Sequence, residues 1–182
     1  MTISVELSKK TTKENPPAAV RLLSKPYIFK KSKRQVWMYL PLCIDLQGKK
    51  VLIIGLGKVG KKRLQKLLKS GAEVAVIDRR KIRVKNAKFT QKNLCLDNLP
   101  SLEKYFLVVA STDDEKLNEA IAKKARRDGC LVNRVDLFRG GDVIFPAVVE
   151  TRAGIISFTT IGRNPRLSRQ IKEALEREFS KD

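Results

Sequence analysis

Three glycines and one aspartate carry the first chemical signal. Gly55-Leu56-Gly57-Lys58-Val59-Gly60 fits G-x-G-x-x-G, between an apolar run, KVLII, and a stretch with helical spacing, KVGKKRLQKLLKSG. In that setting the first glycine permits a tight turn, the second lets the backbone approach a pyrophosphate, and the third allows helix and strand to pack closely. A helix opening there aims unpaired N–H groups and the positive end of its dipole at the phosphates. Asp78 ends the next strand-like run, EVAVID. A carboxylate there accepts hydrogen bonds from a ribose 2′-hydroxyl and repels a 2′-phosphate, which favours NAD over NADP. Arg79 and Arg80 pull the other way, since an arginine at this point accommodates a 2′-phosphate. A turn that needs glycine for backbone reasons alone is the bland alternative.

Composition narrows the remaining chemistry. The 182 residues contain no histidine, so imidazole is excluded as metal ligand, general base or proton shuttle, leaving carboxylates, Lys, Tyr and Cys. Cys43, Cys95 and Cys130 are widely spaced and form no C-x-x-C pair, which suggests neither a disulfide framework nor a zinc site and fits a reducing cytoplasm. No metal ligands are expected. With 39 Lys+Arg against 19 Asp+Glu the formal charge is +20, so the partner is expected to be anionic: nucleic acid, a membrane surface or a polyanionic small molecule. No apolar run reaches the roughly 18 residues of a membrane span, and the polar N-terminus has no signal-peptide core, so a soluble cytoplasmic protein is expected.

The elements that must position these residues follow from periodicity. Residues 1–37 carry nine Lys/Arg, two acidic residues and Pro16–Pro17 without sustained apolar periodicity, and read as a basic, disordered extension. MYLPL reads as a strand leading through a turn at Gly48 into KVLII, which is almost wholly apolar, as expected of a parallel strand buried on both faces. Val59, Leu64, Leu67 and Leu68 then fall on one helical face, with Gly71 as a stop. EVAVID, a weak AKFTQKN, YFLVVAST and CLVNRV complete the strands. DDEKLNEAIAKKARRDG is a helix with acidic residues first and basic residues last. The fold class is therefore α/β: over residues 38–136 a Rossmann-type, mostly parallel sheet with helices on both faces. Residues 137–182 read as a small β-hairpin, turning at Arg152–Gly154, plus a terminal helix. This region is too small to stand alone and is expected to dimerise and to help frame the substrate.

The glycine loop with VVASTDDEKLNEAIAKKA also resembles the nucleotide-binding regulatory domains of potassium channels and transporters, which sense NAD and do no chemistry. The flanks are more specific. MYLPLCIDLQGKKVLIIG before the loop, and LVNRVD, DVIFPAVVE and GRNPRLSR after it, resemble over residues 38–179 the N-terminal domain of siroheme synthase, the precorrin-2 dehydrogenase family. The resemblance implies oxidation of precorrin-2 to sirohydrochlorin with hydride passed to NAD⁺, with iron insertion as a second activity of some members. It also explains the charge, since the tetrapyrrole is a polycarboxylate that a basic cleft attracts. Nucleic acid is then an unlikely partner, and a non-catalytic NAD-responsive module is the main alternative.

Carried over by position, the resemblance implies Asp136 as the catalytic carboxylate. Asp136 also follows a strand at the carboxyl edge of the sheet, where ligands of such folds bind; a turn or cap aspartate is the alternative. Asn133 and Thr160 match substrate-side positions, with a strand-end amide and a hairpin hydroxyl as the bland readings. Gly55, Gly57, Lys58, Val59, Gly60, Asp78, Arg79 and Thr112 match the cofactor site. Three departures stand out. Leu137 replaces a second aspartate before FRGGD, whose glycines suggest mobility. Ile161 stands where the family often has the first of two glycines. Many members also continue past the last helix with a helical region that covers the substrate, a difference that bears most on iron insertion.

Overall fold

β1 (Lys50–Ile54) forms because Val51, Leu52, Ile53 and Ile54 have no hydrophilic face to offer water. Each is at most 2% exposed in the computed structural model, which describes residues 39–152 and 154–179. The basic extension assigned to residues 1–37, and Met38 with it, lies outside the described residues. Two compact units divide the chain near Pro146.

The larger unit, described from Tyr39 to Phe145, holds β1, β2 (Glu73–Asp78), β3 (Lys88–Gln91), β4 (Leu107–Ala110) and β5 (Leu131–Arg134), with α1 (Lys58–Lys69) and α2 (Glu115–Arg127). The strands lie in the order β3-β2-β1-β4-β5 and every pairing is parallel. Successive side chains of β1 point to opposite faces. Val51 and Ile53 therefore join Val109, Val76 and the α1 residues Leu64 and Leu67 in one cluster. Leu52 and Ile54 join Val108, Ala110, Val132 and the α2 residues Leu117, Ile121 and Ala125 in another. Each helix covers one face, as the apolar strand sequences require.

The register levels the strand ends. Ile54 pairs with Ile77 and Ala110, and Ala110 with Arg134. Gly55, Asp78, Ser111 and Val135 are consequently neighbours along the carboxyl edge, and the order of connections reverses between β1 and β4, the place where such sheets bind ligands.

Two expectations are corrected here. Residues 39–46 form no strand: Leu40 and Leu42 are 77% and 72% exposed. Tyr39 is tied instead by its hydroxyl, which donates to the Phe138 carbonyl at 3.1 Å. Alternating apolar residues cannot make a strand without a ladder partner. The glycines of FRGGD are set by contact rather than mobility. A Cβ on Gly141 would lie 2.7 Å from the Val132 carbonyl oxygen, and one on Gly140 would lie 2.7 Å from Arg134 Cδ. The Asp142 and Val143 amides both donate to Val132 O, so residues 137–145 belong with the sheet.

In the smaller unit, β6 (Ala147–Thr151) and β7 (Gly154–Phe158) form an antiparallel hairpin, closed where the Gly154 amide donates to Thr151 Oγ1 at 3.1 Å. α3 (Pro165–Phe179) begins with proline at its first position and is capped by Asn164, whose Oδ1 accepts from the Leu167 amide at 2.9 Å. Ile161 has φ 52°, a left-handed conformation costly for a β-branched side chain, at the position where the resemblance expects glycine. Among the described residues no helix is long and apolar enough to cross a membrane.

These assignments separate core from periphery in a measurable way. Ile53→Ala should cost about 2–5 kcal/mol in urea unfolding, whereas Leu42→Ser should stay within about 0.5 kcal/mol. A loss for Leu42→Ser comparable to that of Ile53→Ala would show that residues 39–46 pack as core after all.

Candidate functional site

The glycine loop is built by two close approaches. Gly55 has φ +89°, and a Cβ there would lie 2.5 Å from the Ser111 carbonyl oxygen and 2.8 Å from the Thr112 nitrogen. A Cβ on Gly60 would collide with the Gly55 carbonyl and lie 3.0 Å from Ser111 Oγ. Ser111 holds the crossing together: its hydroxyl lies 2.6 Å from the Gly55 carbonyl oxygen and 3.1 Å from that of Ile54. Gly57 differs, because nothing lies within 4 Å of a Cβ built on it. The protein leaves that space open, which is the room a pyrophosphate needs to approach the backbone.

The two helix N-termini are treated differently. Asp114 caps α2, accepting from the Lys116 and Leu117 amides at 2.9 and 3.1 Å. α1 begins at Gly57 with no side-chain cap and no acidic residue in its first turn, so its amides stay available to an anion. A cleft of about 390 Å³ opens in front of it, lined by Gly55, Gly57, Lys58, Val59, Asp78, Arg79 and Thr112 among others. Seven of the eight residues expected at the cofactor site thus meet in one cleft. The eighth, Gly60, is buried behind the loop and acts through packing. Val59, expected on the core face of α1, is 42% exposed and faces this opening.

Asp78 is the most engaged carboxylate of the cleft. Oδ2 accepts from the Leu56 amide at 2.6 Å and Arg80 Nη2 at 3.1 Å; Oδ1 accepts from the Arg80 amide at 2.8 Å and Arg80 Nε at 3.0 Å. The Arg80 guanidinium, with help from the two amides, lowers its pKa to about 2 against the opposing effect of burial. Arg79, also on the cleft lining, pairs with Asp113 at 2.9 Å, both side chains well exposed.

Thr112 is held by Asn118: Thr112 Oγ1 donates to Asn118 Oδ1 at 2.7 Å, and Asn118 Nδ2 donates to the Thr112 carbonyl at 3.1 Å. Asn118 is fully buried. It and Ser111 are the positioning residues that motif reading passes over. Asn118 had a signal, since it falls on the buried stripe of α2 with Leu117, Ile121 and Ala122, where an amide is out of place unless it is bonded.

The substrate-side candidates do not join the cleft lining. Asp136 makes a bidentate pair with Arg134, Nη2 to Oδ2 at 2.7 Å and Nε to Oδ1 at 3.1 Å, with side chains 15% and 8% exposed. Burial pushes its pKa up, but Arg134, Asn118 and its own backbone outweigh burial and hold the carboxyl below its ordinary range. Asn133 is buried, donating from Nδ2 to the Val143 carbonyl at 2.7 Å; its Oδ1 has no partner among the described residues. Thr160 belongs to the smaller unit, where its hydroxyl lies 3.2 Å from Ser168 Oγ and accepts from the Asn164 amide. Among the described residues no three His, Cys, Asp or Glu side chains converge as a metal site.

The strand order, the reversal between β1 and β4, the glycine crossing and the uncapped helix define a Rossmann dinucleotide-binding domain. The chain belongs to the family described as "Putative NAD(P)-binding", whose model matches residues 42–147. It is also similar to siroheme synthases, 37% identical over 143 residues to that of Buchnera aphidicola and 34% over 150 residues to that of Methylococcus capsulatus. Each match covers 76% of this chain and 30% of the relative, so the chain spans less than a third of the length of these enzymes. Among solved structures, SirC, a precorrin-2 dehydrogenase, shares the fold with a TM-score of 0.62 at 23% identity, over 78% of this chain and 71% of that one.

The three glycines are required for different reasons, and substitution separates them. Gly57→Ala should fold normally yet weaken NAD⁺ binding by about tenfold or more, some 1.4 kcal/mol, measured by calorimetry. Gly55→Ala should lose about 2 kcal/mol or more of stability, because both its φ and the β4 backbone oppose a side chain. Unchanged NAD⁺ affinity in Gly57→Ala would mean that no phosphate sits over the loop.

Proposed function

We propose that the protein is an NAD-dependent precorrin-2 dehydrogenase. The observation that carries the reading is the conjunction of an open, uncapped glycine loop with a siroheme-synthase-like sequence on both sides of it. The reaction removes two electrons and two protons from precorrin-2, giving sirohydrochlorin, NADH and a proton. NAD⁺, when bound, accepts the hydride. Gly57 and the first amides of α1 would hold its pyrophosphate, with Lys58 beside them, and Thr112, fixed by Asn118, would line the adjoining wall.

Asp136 is the proposed acceptor of the second hydrogen as a proton. Arg134 keeps it ionised and oriented, so the base is ready at neutral pH, and it works at the expense of that ion pair. Iron insertion, where it occurs in such enzymes, would draw on the same carboxylate. Asn133, whose buried Oδ1 has no partner among the described residues, and Thr160 are each carried over as substrate-side proposals from the resemblance alone. The charge of +20 favours a polycarboxylate substrate.

A homodimer is proposed on the smaller unit. A two-stranded sheet with one helix is marginal alone, and Ile155 and Phe179 stay exposed on it, so a second copy is the natural cover. The cysteines are free thiols, consistent with a cytoplasmic protein.

Asp136→Asn tests the chemistry. Anaerobic precorrin-2 oxidation should slow by about 10²–10⁴-fold, while NAD⁺ affinity stays close to wild type and the melting temperature falls, because the variant leaves the shielded Arg134 guanidinium without a charged partner. The sign of the pH effect follows from the lowered pKa: the active carboxylate form exists above it and is lost only as pH falls through it. Wild-type kcat/KM should therefore show no acid limb until below the ordinary carboxylate range, about pH 4. Full activity in Asp136→Asn would reduce the residue to the structural partner of Arg134.

A further inference from the structure

We infer that Arg80 overrides Asp78 as the arbiter of cofactor choice, so that the cleft accepts the 2′-phosphorylated dinucleotide NADP⁺ about as readily as NAD⁺. The inference rests on the dinucleotide reading above and concerns the same cleft. An aspartate at the end of the second strand selects NAD when its carboxylate is free to accept from the ribose and to repel a 2′-phosphate. Asp78 is not free. An ionised carboxylate has about four lone-pair positions, and four donors already fill them: the Leu56 amide, the Arg80 amide, Arg80 Nε and Arg80 Nη2. The residue is 5% exposed, so no further donor reaches it without displacing one of these.

Its charge is also compensated. The Arg80 guanidinium lies bidentate on the carboxylate, a geometry that cancels most of the repulsion an incoming phosphate would meet. Of the five N–H donors of a guanidinium, two are spent on Asp78. The Arg80 side chain is 59% exposed and lines the cleft together with Lys92, whose Nζ makes only a long 3.5 Å contact to the Asn98 carbonyl. Arg79 is the less useful cation, because Asp113 already pairs with it. The end of β2 therefore presents a guanidinium and an ammonium to the cofactor, with its carboxylate turned inward to hold the Leu56 amide of the glycine loop. Asp78 is the positioning residue and Arg80 the discriminating one.

The test is calorimetric titration of the full chain with NAD⁺ and NADP⁺, in wild type, Arg80→Ala and Lys92→Ala. Wild type should bind the two within about threefold of each other, or NADP⁺ more tightly. Arg80→Ala should weaken NADP⁺ by about tenfold or more, the scale of one charge-assisted pair, and leave NAD⁺ equal or tighter, since Asp78 is released to the ribose. Lys92→Ala should weaken NADP⁺ selectively and by less. Raised salt should weaken NADP⁺ more than NAD⁺ in wild type and equally in Arg80→Ala. Wild type preferring NAD⁺ by about tenfold or more, with Arg80→Ala leaving that ratio unchanged, would overturn the inference while the dinucleotide reading stands. Binding of neither dinucleotide by the folded protein would remove the dinucleotide reading itself, and this inference with it.

Discussion

The contact on which the site depends is the crossing of two backbones. The loop after β1 runs so near the end of β4 that a side chain is excluded at Gly55, the loop's own Gly55 carbonyl excludes one at Gly60, and the Ser111 hydroxyl lies against the Ile54 and Gly55 carbonyls. Everything at the carboxyl edge inherits its position from this crossing. It sets the start of α1 directly after the strand, points the uncapped amides into the cleft, and lets the Leu56 amide reach the Asp78 carboxylate. The level register of β1, β2, β4 and β5 makes the arrangement possible, because each strand delivers its next residue to the same edge.

A second regularity is electrostatic. Each carboxylate singled out for chemistry is held by an arginine two residues away, Asp78 by Arg80 and Asp136 by Arg134. Both pairs are bidentate and largely shielded on the carboxylate side, which makes them stronger and more directional than surface ion pairs. Both acids stay ionised, yet neither projects much uncompensated negative charge. For Asp78, which lines the cleft, this lowers the repulsion that a dinucleotide's phosphates would meet there. The price is reactivity, for a paired carboxylate is a weaker base than a free one.

The sheet was legible because its signals are local. Unbroken apolar runs at 51–54 and 107–110 announce strands buried on both faces, and Asp114 with the basic end of α2 marks that helix from sequence alone. The glycine loop was legible because a steric rule ties residue type to place. What sequence could not give was partnership across the chain. Leu40 and Leu42 alternate like a strand, but no neighbouring strand takes them up. The FRGGD glycines look like a flexible loop until the close approach of Gly141 to Val132, Asn133 and Arg134 of β5 is seen. Asp78 had the right type and position for a ribose, yet its hydrogen-bonding capacity is consumed by Arg80, a contact that motif spacing does not encode. Asn133 and Asp136 were named for the substrate side, and the structure places both outside the lining of the dinucleotide cleft.

The central claim is that this cleft supports two-electron oxidation of a tetrapyrrole. It is tested most directly by mixing purified protein with NAD⁺ and enzymatically generated precorrin-2 without oxygen, and following the reduced nicotinamide and the sirohydrochlorin spectra together. The account predicts that both products appear at the same rate and in equal amounts, and that nothing forms when the dinucleotide is omitted. A folded protein that binds NAD⁺ yet leaves precorrin-2 unchanged would contradict it and identify the domain as a nucleotide-responsive module.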